Sequence, residues 1–311
     1  MNISLEDQLL VETWMTVQKY LTYTVLIGLF TIGNIGCIFN VIIFRCPYLK
    51  TSSCSRYFLA SSFANAFQLN IGLASHILDL TFAIHPYHYS SILCKLRNYL
   101  INTAGFLSQT YLLLACIDRY LITTRFRQIS RLPIANRIIL CTACFWLVDL
   151  SHMLVYSNII ANHHFCFFSS ASYVFFISLH NFILSGLVLP ILMTIFGILT
   201  LNNVRRIRRQ VRSRRHRDHY LSLMLLTNIF ISVLFTFMYT SGLLYMSVFA
   251  SNRANNLSVK EQFQRRFISF IAIIFYYIPY AVSFYVNILT SQRFRREFRK
   301  SVYLKRRKTI S

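Results

Sequence analysis

The chain has 311 residues, 55% of them hydrophobic and 16% aromatic, with 32 Lys and Arg against 9 Asp and Glu for a net charge of +23 at pH 7. A mean hydropathy of +0.49 argues against a soluble domain, and an apolar majority argues against a nucleic-acid binder that carries its cations on a solvated surface. Too few Gly and Pro are present for a disordered or collagen-like chain, which leaves a polytopic membrane protein whose cations collect on one side.

A spanning helix needs roughly 20 residues almost free of charge. Residues 1–19 carry Glu6, Asp7 and Glu12 without a basic leader, and read as a short extracellular segment before an uncleaved first span. The charge-free intervals from Lys19 to Arg45, Arg56 to Asp79 and Arg97 to Asp118 predict spans at about 20–44, 57–79 and 96–121. Between Arg137 and Arg205 the only charge is Asp149, and a polar run over 157–172 divides that stretch into spans at about 137–157 and 173–201. The intervals from Asp218 to Arg253 and Arg266 to Arg293 predict the last two, at about 220–249 and 267–289. The expected fold is an all-α, seven-transmembrane helix bundle over 20–289. A short amphipathic helix and basic tail follow at 290–311, where Phe294, Phe298 and Val302 make an apolar stripe among cations.

Orientation follows from the cations. Twenty-five of the 32 Lys and Arg fall on the side that takes the C-terminal tail and the loops after spans one, three and five. The positive-inside rule makes that side cytoplasmic and the N-terminus extracellular, as expected for a multi-pass plasma-membrane protein. The sequons at Asn2 and Asn256 fall on the opposite side, and so do Cys94 and Cys166, where an oxidising compartment permits a disulfide.

Cys94 stands near the outer end of span three and Asp118-Arg119-Tyr120 at its inner end, with 25 residues from the cysteine to the arginine, or ~37 Å of helix. In this cysteine, triplet and interval the sequence resembles the rhodopsin-like (class A) G-protein-coupled receptors. Gly33-Asn34 resembles that family's first-helix Gly-Asn pair, Trp146 its fourth-helix tryptophan and Pro190 its fifth-helix proline. Three positions depart from it. Asn65 stands where most members have Asp, Ser283-Phe284-Tyr285-Val286-Asn287 stands at the Asn-Pro-x-x-Tyr motif, and Met238-Tyr239-Thr240-Ser241 stands at the Cys-Trp-x-Pro element. The family associates the first two places with a sodium site and an activating rearrangement, and Asn65 supplies no carboxylate there.

The resemblance implies a Cys94–Cys166 disulfide that pins the second extracellular loop over the bundle. It implies a switch in which Asp118 restrains Arg119, and in which Arg119 and Tyr120 meet a heterotrimeric G protein. An amine receptor would place an Asp where Ile101 stands, and an opsin would place a Lys where Tyr277 stands; neither is expected. Ile101, Tyr239 and Tyr277 are the ligand-pocket candidates, with aromatic packing as the plain alternative for the tyrosines. The mixed charges of the outer side, among them Asp79, Glu261, Arg97 and Lys260, favour a peptide ligand. Membrane lipids complete the expected partners. No catalytic set, cofactor, metal site or nucleic-acid partner is expected. Asp149, a charge inside a span, is a functional candidate in its own right. The alternative is a transporter or channel, which paired intramembrane charges, broken helices and internal repeats would mark.

Overall fold

The computed structural model describes residues 5–82, 89–124, 132–160, 165–168, 170–210, 216–252 and 259–300. Six helices among them are long and apolar enough to cross a membrane: Val11–Phe44, Ser91–Thr123, Leu132–Tyr156, Ala171–Arg206, Leu223–Val248 and Phe263–Thr290. The chain is an all-α, multi-pass membrane protein. Helix is what such sequences must form, because in hydrocarbon every backbone N–H and C=O has to find its partner within the segment. Hydroxyls follow the same rule. Thr31, Ser62, Thr103, Thr110 and Thr200 each donate to the carbonyl one turn back, so they remain satisfied without water.

In chain order the first helix joins Leu5–Leu21, Thr22–Leu26 and Ile27–Phe44, and the second joins Ser53–Phe67, Gln68–Leu73, Ala74–Ile77 and Leu78–Phe82. The third is Ser91–Thr123. The fourth joins Leu132–Asp149, Leu150–His152 and Met153–Tyr156, and the fifth joins Ala171–Asn181, Phe182–Val188 and Leu189–Gln210. The sixth is His216–Asn252 and the seventh Val259–Thr290. These helices outrun the charge-free intervals that announce them, most of all the first, which starts at Leu5 although its charge-free interval opens only after Lys19. A charge ends an apolar run without ending a helix. Trp14 stacks on Phe267 of the seventh helix at 6.3 Å, so the extra turns have a partner.

The third helix is the axis of the bundle: 61% of its most apolar window is buried, against 17% for the fourth. The first and seventh helices approach closely at Gly36, where a methyl group would stand 2.9 Å from Phe284 Cβ. In the fifth helix, Pro190 lacks an amide and crowds the carbonyl of Gly186; the helix widens to a π turn over Phe182–Val188, which absorbs both effects. A two-stranded antiparallel hairpin, Ser157–Ile160 with Phe165–Phe168, joins the fourth helix to the fifth and sets Ile159 opposite Cys166. After Thr290 the chain turns. Ser291 Oγ accepts from Phe294 N, Arg295 Nη1 donates to the Leu289 carbonyl at 2.8 Å, and a helix over 292–300 packs Phe294 on Phe44 and Phe284.

Candidate functional site

The third helix carries chemistry at both ends. At one end Cys94 is joined to Cys166, which fastens the hairpin to the helix across a sequence separation of 72. The helix starts there because Ser90 accepts a hydrogen bond from Leu93 N. At the other end Asp118 and Arg119 are 5% and 3% exposed. A guanidinium so enclosed requires polar partners. Arg119 Nη2 donates to Ser52 Oγ at 2.7 Å, and Ser52 is the residue from which the second helix begins. Asp118 lies in electrostatic reach of Tyr57 on that helix. Tyr120 tilts against Phe196 of the fifth helix at 5.7 Å, and Asn203 donates to Thr123 at 3.2 Å. The triplet therefore touches the second and fifth helices at once.

Between the two ends runs a ladder of neutral polar side chains. Ser108 donates to Asn65 and faces Ser61 at 3.3 Å. Gln109 accepts from Ser185 of the fifth helix at 2.8 Å and donates to Thr236 of the sixth at 3.2 Å. All of these but Ser185 line a cavity of about 30 Å³ together with Asn228, Ser232, Pro279 and Ser283. That is room for about two waters, at ~10–15 Å³ each. Below it Asn228 donates to Asn287 at 2.8 Å, and Asn287 donates to Asn40 at 3.3 Å, tying the sixth, seventh and first helices together.

Toward the disulfide end, Gln68 donates to the Tyr276 hydroxyl at 2.9 Å, and Tyr239 stacks on Tyr276 at 4.2 Å. Tyr239 lines two cavities. One of about 10 Å³ adjoins Asn102, Gln109 and Asn181, and one of about 150 Å³ lies between the sixth and seventh helices beside His76 and Met246. Arg97 is in electrostatic reach of Tyr239 and His76, and its Nε donates to Ser75 at 2.8 Å.

The residues singled out in the sequence divide accordingly. Tyr239 borders these cavities, whereas Ile101 and Tyr277 do not. Tyr277 is instead 1% exposed among the first, second and seventh helices, where a methyl at Gly72 would meet its hydroxyl. Asn65 and Ser283 both line the central cavity. Trp146 donates to Thr110 at 3.0 Å and stacks on Phe106 at 4.4 Å. Asn34 is half-buried and accepts from Asn70, while Asn40 is the first-helix asparagine that reaches the interior. Pro190 is buried, just after the π turn. Asn2 and Asn256 lie outside the described residues.

Sequence reasoning missed Ser52, Asn40, Gln109 and Asn228. Each is a small polar residue in or beside an apolar run, and that placement was the available signal. No protein-family profile and no curated protein matches this chain.

Proposed function

We propose that this chain is a seven-span receptor of the rhodopsin-like type, which converts extracellular ligand binding into activation of a cytoplasmic heterotrimeric G protein. The observation that carries the reading is the third helix. The most enclosed rod of the bundle is covalently anchored at one end and presents a buried Arg119 at the other. In this reading the second helix is the remaining span. Its serines, Asn65 and Gln68 lower its apolar character because they face the polar interior. The charge bias supports a cytoplasmic Arg119 end, and with it a helix over 292–300 on the inner membrane surface with Phe294 inward.

The ligand enters from the disulfide end, toward Tyr239 and the cavity between the sixth and seventh helices. A peptide with an acidic end suits Arg97 and the outer cations. Binding shifts the balance between two packings of the bundle, and the inner ends of the third, fifth and sixth helices present the result. The transporter reading has one point in its favour, an intramembrane contact between Asp149 and His180. That contact lies at the rim, between the fourth and fifth helices, and not along a path through the bundle.

The test is a peptide and small-molecule screen on cells that report several G-protein pathways at once, with an Asp118→Asn variant run beside the parent. Raised ligand-independent signalling in the variant, at equal surface expression, supports the switch. Ligand-independent ion flux in proteoliposomes, with silent reporters, replaces it with the transporter reading.

A further inference from the structure

Asp149 takes no part in the ladder described above. Inside a membrane helix a carboxylate is costly unless it has a partner. Here Asp149 Oδ2 lies 3.4 Å from His180 Nε2 of the fifth helix. The cluster continues toward the disulfide end, where His152 Nδ1 is 2.6 Å from the Tyr173 hydroxyl and the His152 and His180 rings are 6.3 Å apart.

Local backbone form puts these side chains on facing stripes. The fourth helix tightens to a 3-10 turn over Leu150–His152, in which residues three apart eclipse, so Asp149 and His152 share a face. On the fifth helix Tyr173, Phe176 and His180 recur at helical spacing. Asp149 Oδ2 and His180 Nδ1 are buried and make no hydrogen bond. Around them the third helix offers Phe106 against His180, the hairpin offers Phe168 against Tyr173, and the fourth helix adds Tyr156 stacked on Tyr173 at 4.4 Å. The titratable groups of the cluster are thus Asp149, His152, Tyr156, Tyr173 and His180. Among the described residues no three His, Cys, Asp or Glu side chains converge closely enough to hold a metal ion. The cation this cluster suits is a proton.

We infer that Asp149, His152 and His180 form a proton-binding site that fastens the fourth helix to the fifth. Asp149 and His180 hold one proton between them, on the imidazole or on the carboxyl, which leaves the pair neutral overall. When the proton departs, a carboxylate is left beside a neutral imidazole inside the membrane, and the contact between the helices weakens. Tyr173 and His152 lie on the disulfide side of the pair and give the proton its route to water. The fifth helix passes the change inward, because Ser185 further along it donates to Gln109 of the third helix. In the orientation proposed above the pH that is read is extracellular; the site itself does not depend on the receptor reading.

The chain contains two tryptophans, and Trp146 is a built-in reporter. It stacks on Phe106, whose edge meets the His180 ring at 5.6 Å. Full-length protein carrying Trp14→Phe, reconstituted in nanodiscs of uncharged lipid without any ligand, is titrated between about pH 8 and about pH 5.5 while Trp146 emission is followed. The expected result is one titration step in this parent and its loss in both Asp149→Asn and His180→Gln. A flat parent overturns the proposal, and so does an unchanged step in the two variants. If neither variant folds, Asp149→Glu decides: it keeps the charge on a longer stem and shifts the midpoint, and an unmoved midpoint overturns the site. A protein that titrates but never couples to a G protein refutes the receptor and leaves the proton site standing.

Discussion

The third and fourth helices are neighbours that solve opposite problems. The third is enclosed, and its Ser108, Gln109, Asp118 and Arg119 draw partners from the second, fifth and sixth helices. The fourth lies at the rim with Val148 and Val155 73% and 71% exposed, and it keeps its one carboxylate by turning it toward His180. An enclosed helix can spread polar groups along its length, because protein surrounds it. A rim helix can hold them only on the stripe where a neighbour touches it.

The largest expected effects break the enclosed helix at its ends. Replacing Cys94 and Cys166 together by Ser frees a loop of 72 residues, for which chain entropy predicts a loss of about 4 kcal/mol; thermal unfolding of purified protein and the folded fraction at the cell surface both read it. At the other end, the proposed receptor function predicts that Arg119→Ala abolishes the G-protein response at equal surface expression. Asp118→Asn raises basal signalling by about fivefold or more, given that coupling energies run from about 1 to about 3 kcal/mol. Ser52→Ala removes one charge-assisted hydrogen bond and raises it less. Equal basal activity in Ser52→Ala and parent would show that the 2.7 Å contact does not restrain Arg119.

A middle tier tests how closely the third helix is packed. A methyl at Gly105 would stand 2.5 Å from the Tyr276 hydroxyl, which itself accepts from Gln68. Gly105→Ala is therefore expected to cost roughly 1–3 kcal/mol of stability, measured by thermal melting, and to displace Tyr276 from Tyr239. Gln109→Leu removes hydrogen bonds to two other helices and is expected to cost roughly 1–2 kcal/mol. Where the third helix meets the rim, Thr110→Ala removes the hydroxyl to which Trp146 of the fourth helix donates and is expected to cost about 0.6 kcal/mol. A ratio reversed between these last two would overturn the contrast between axis and rim.

The same contrast explains what the sequence disclosed. Apolar runs and their order were legible because charge is excluded from hydrocarbon, and six of the runs appear as helices able to cross a membrane. Helix ends were not, since Trp14 finds Phe267 beyond the charge that closed the run. Which face of a helix turns inward was not legible either. Asn34 and Asn40 look alike in the first helix, and only the line along which the seventh helix packs makes Asn40 the one that meets Asn287. The direction of Tyr277 was hidden for the same reason: it lies one residue beyond Tyr276 and so points toward Gly72 and the second helix. The pairing of Cys94 with Cys166 enters the sequence reading through the family resemblance, since eight cysteines by themselves leave it open.

The smallest expected effect is a null one, and it bears on the centre of the ladder. Asn65, Ser61, Ser108, Ser283 and the other residues around the cavity of about 30 Å³ are all uncharged. A sodium ion placed there would lose its hydration shell and receive only amide and hydroxyl dipoles in return, without the anion that makes such a transfer favourable in a low-dielectric interior. Two waters lose far less, since the same dipoles replace their hydrogen bonds directly. The melting temperature of the purified protein is therefore expected to be the same in NaCl and in KCl at equal ionic strength. The variant Asn65→Asp is isosteric and puts a carboxylate beside Ser108, the present donor to Asn65. It is expected to lower stability in KCl and to recover part of the loss in NaCl, because the smaller ion fits the space of one or two waters. A sodium effect in the parent of the same size as in Asn65→Asp would mean that the neutral ladder binds cations after all, and that enclosure alone does not decide what the interior of the bundle can hold.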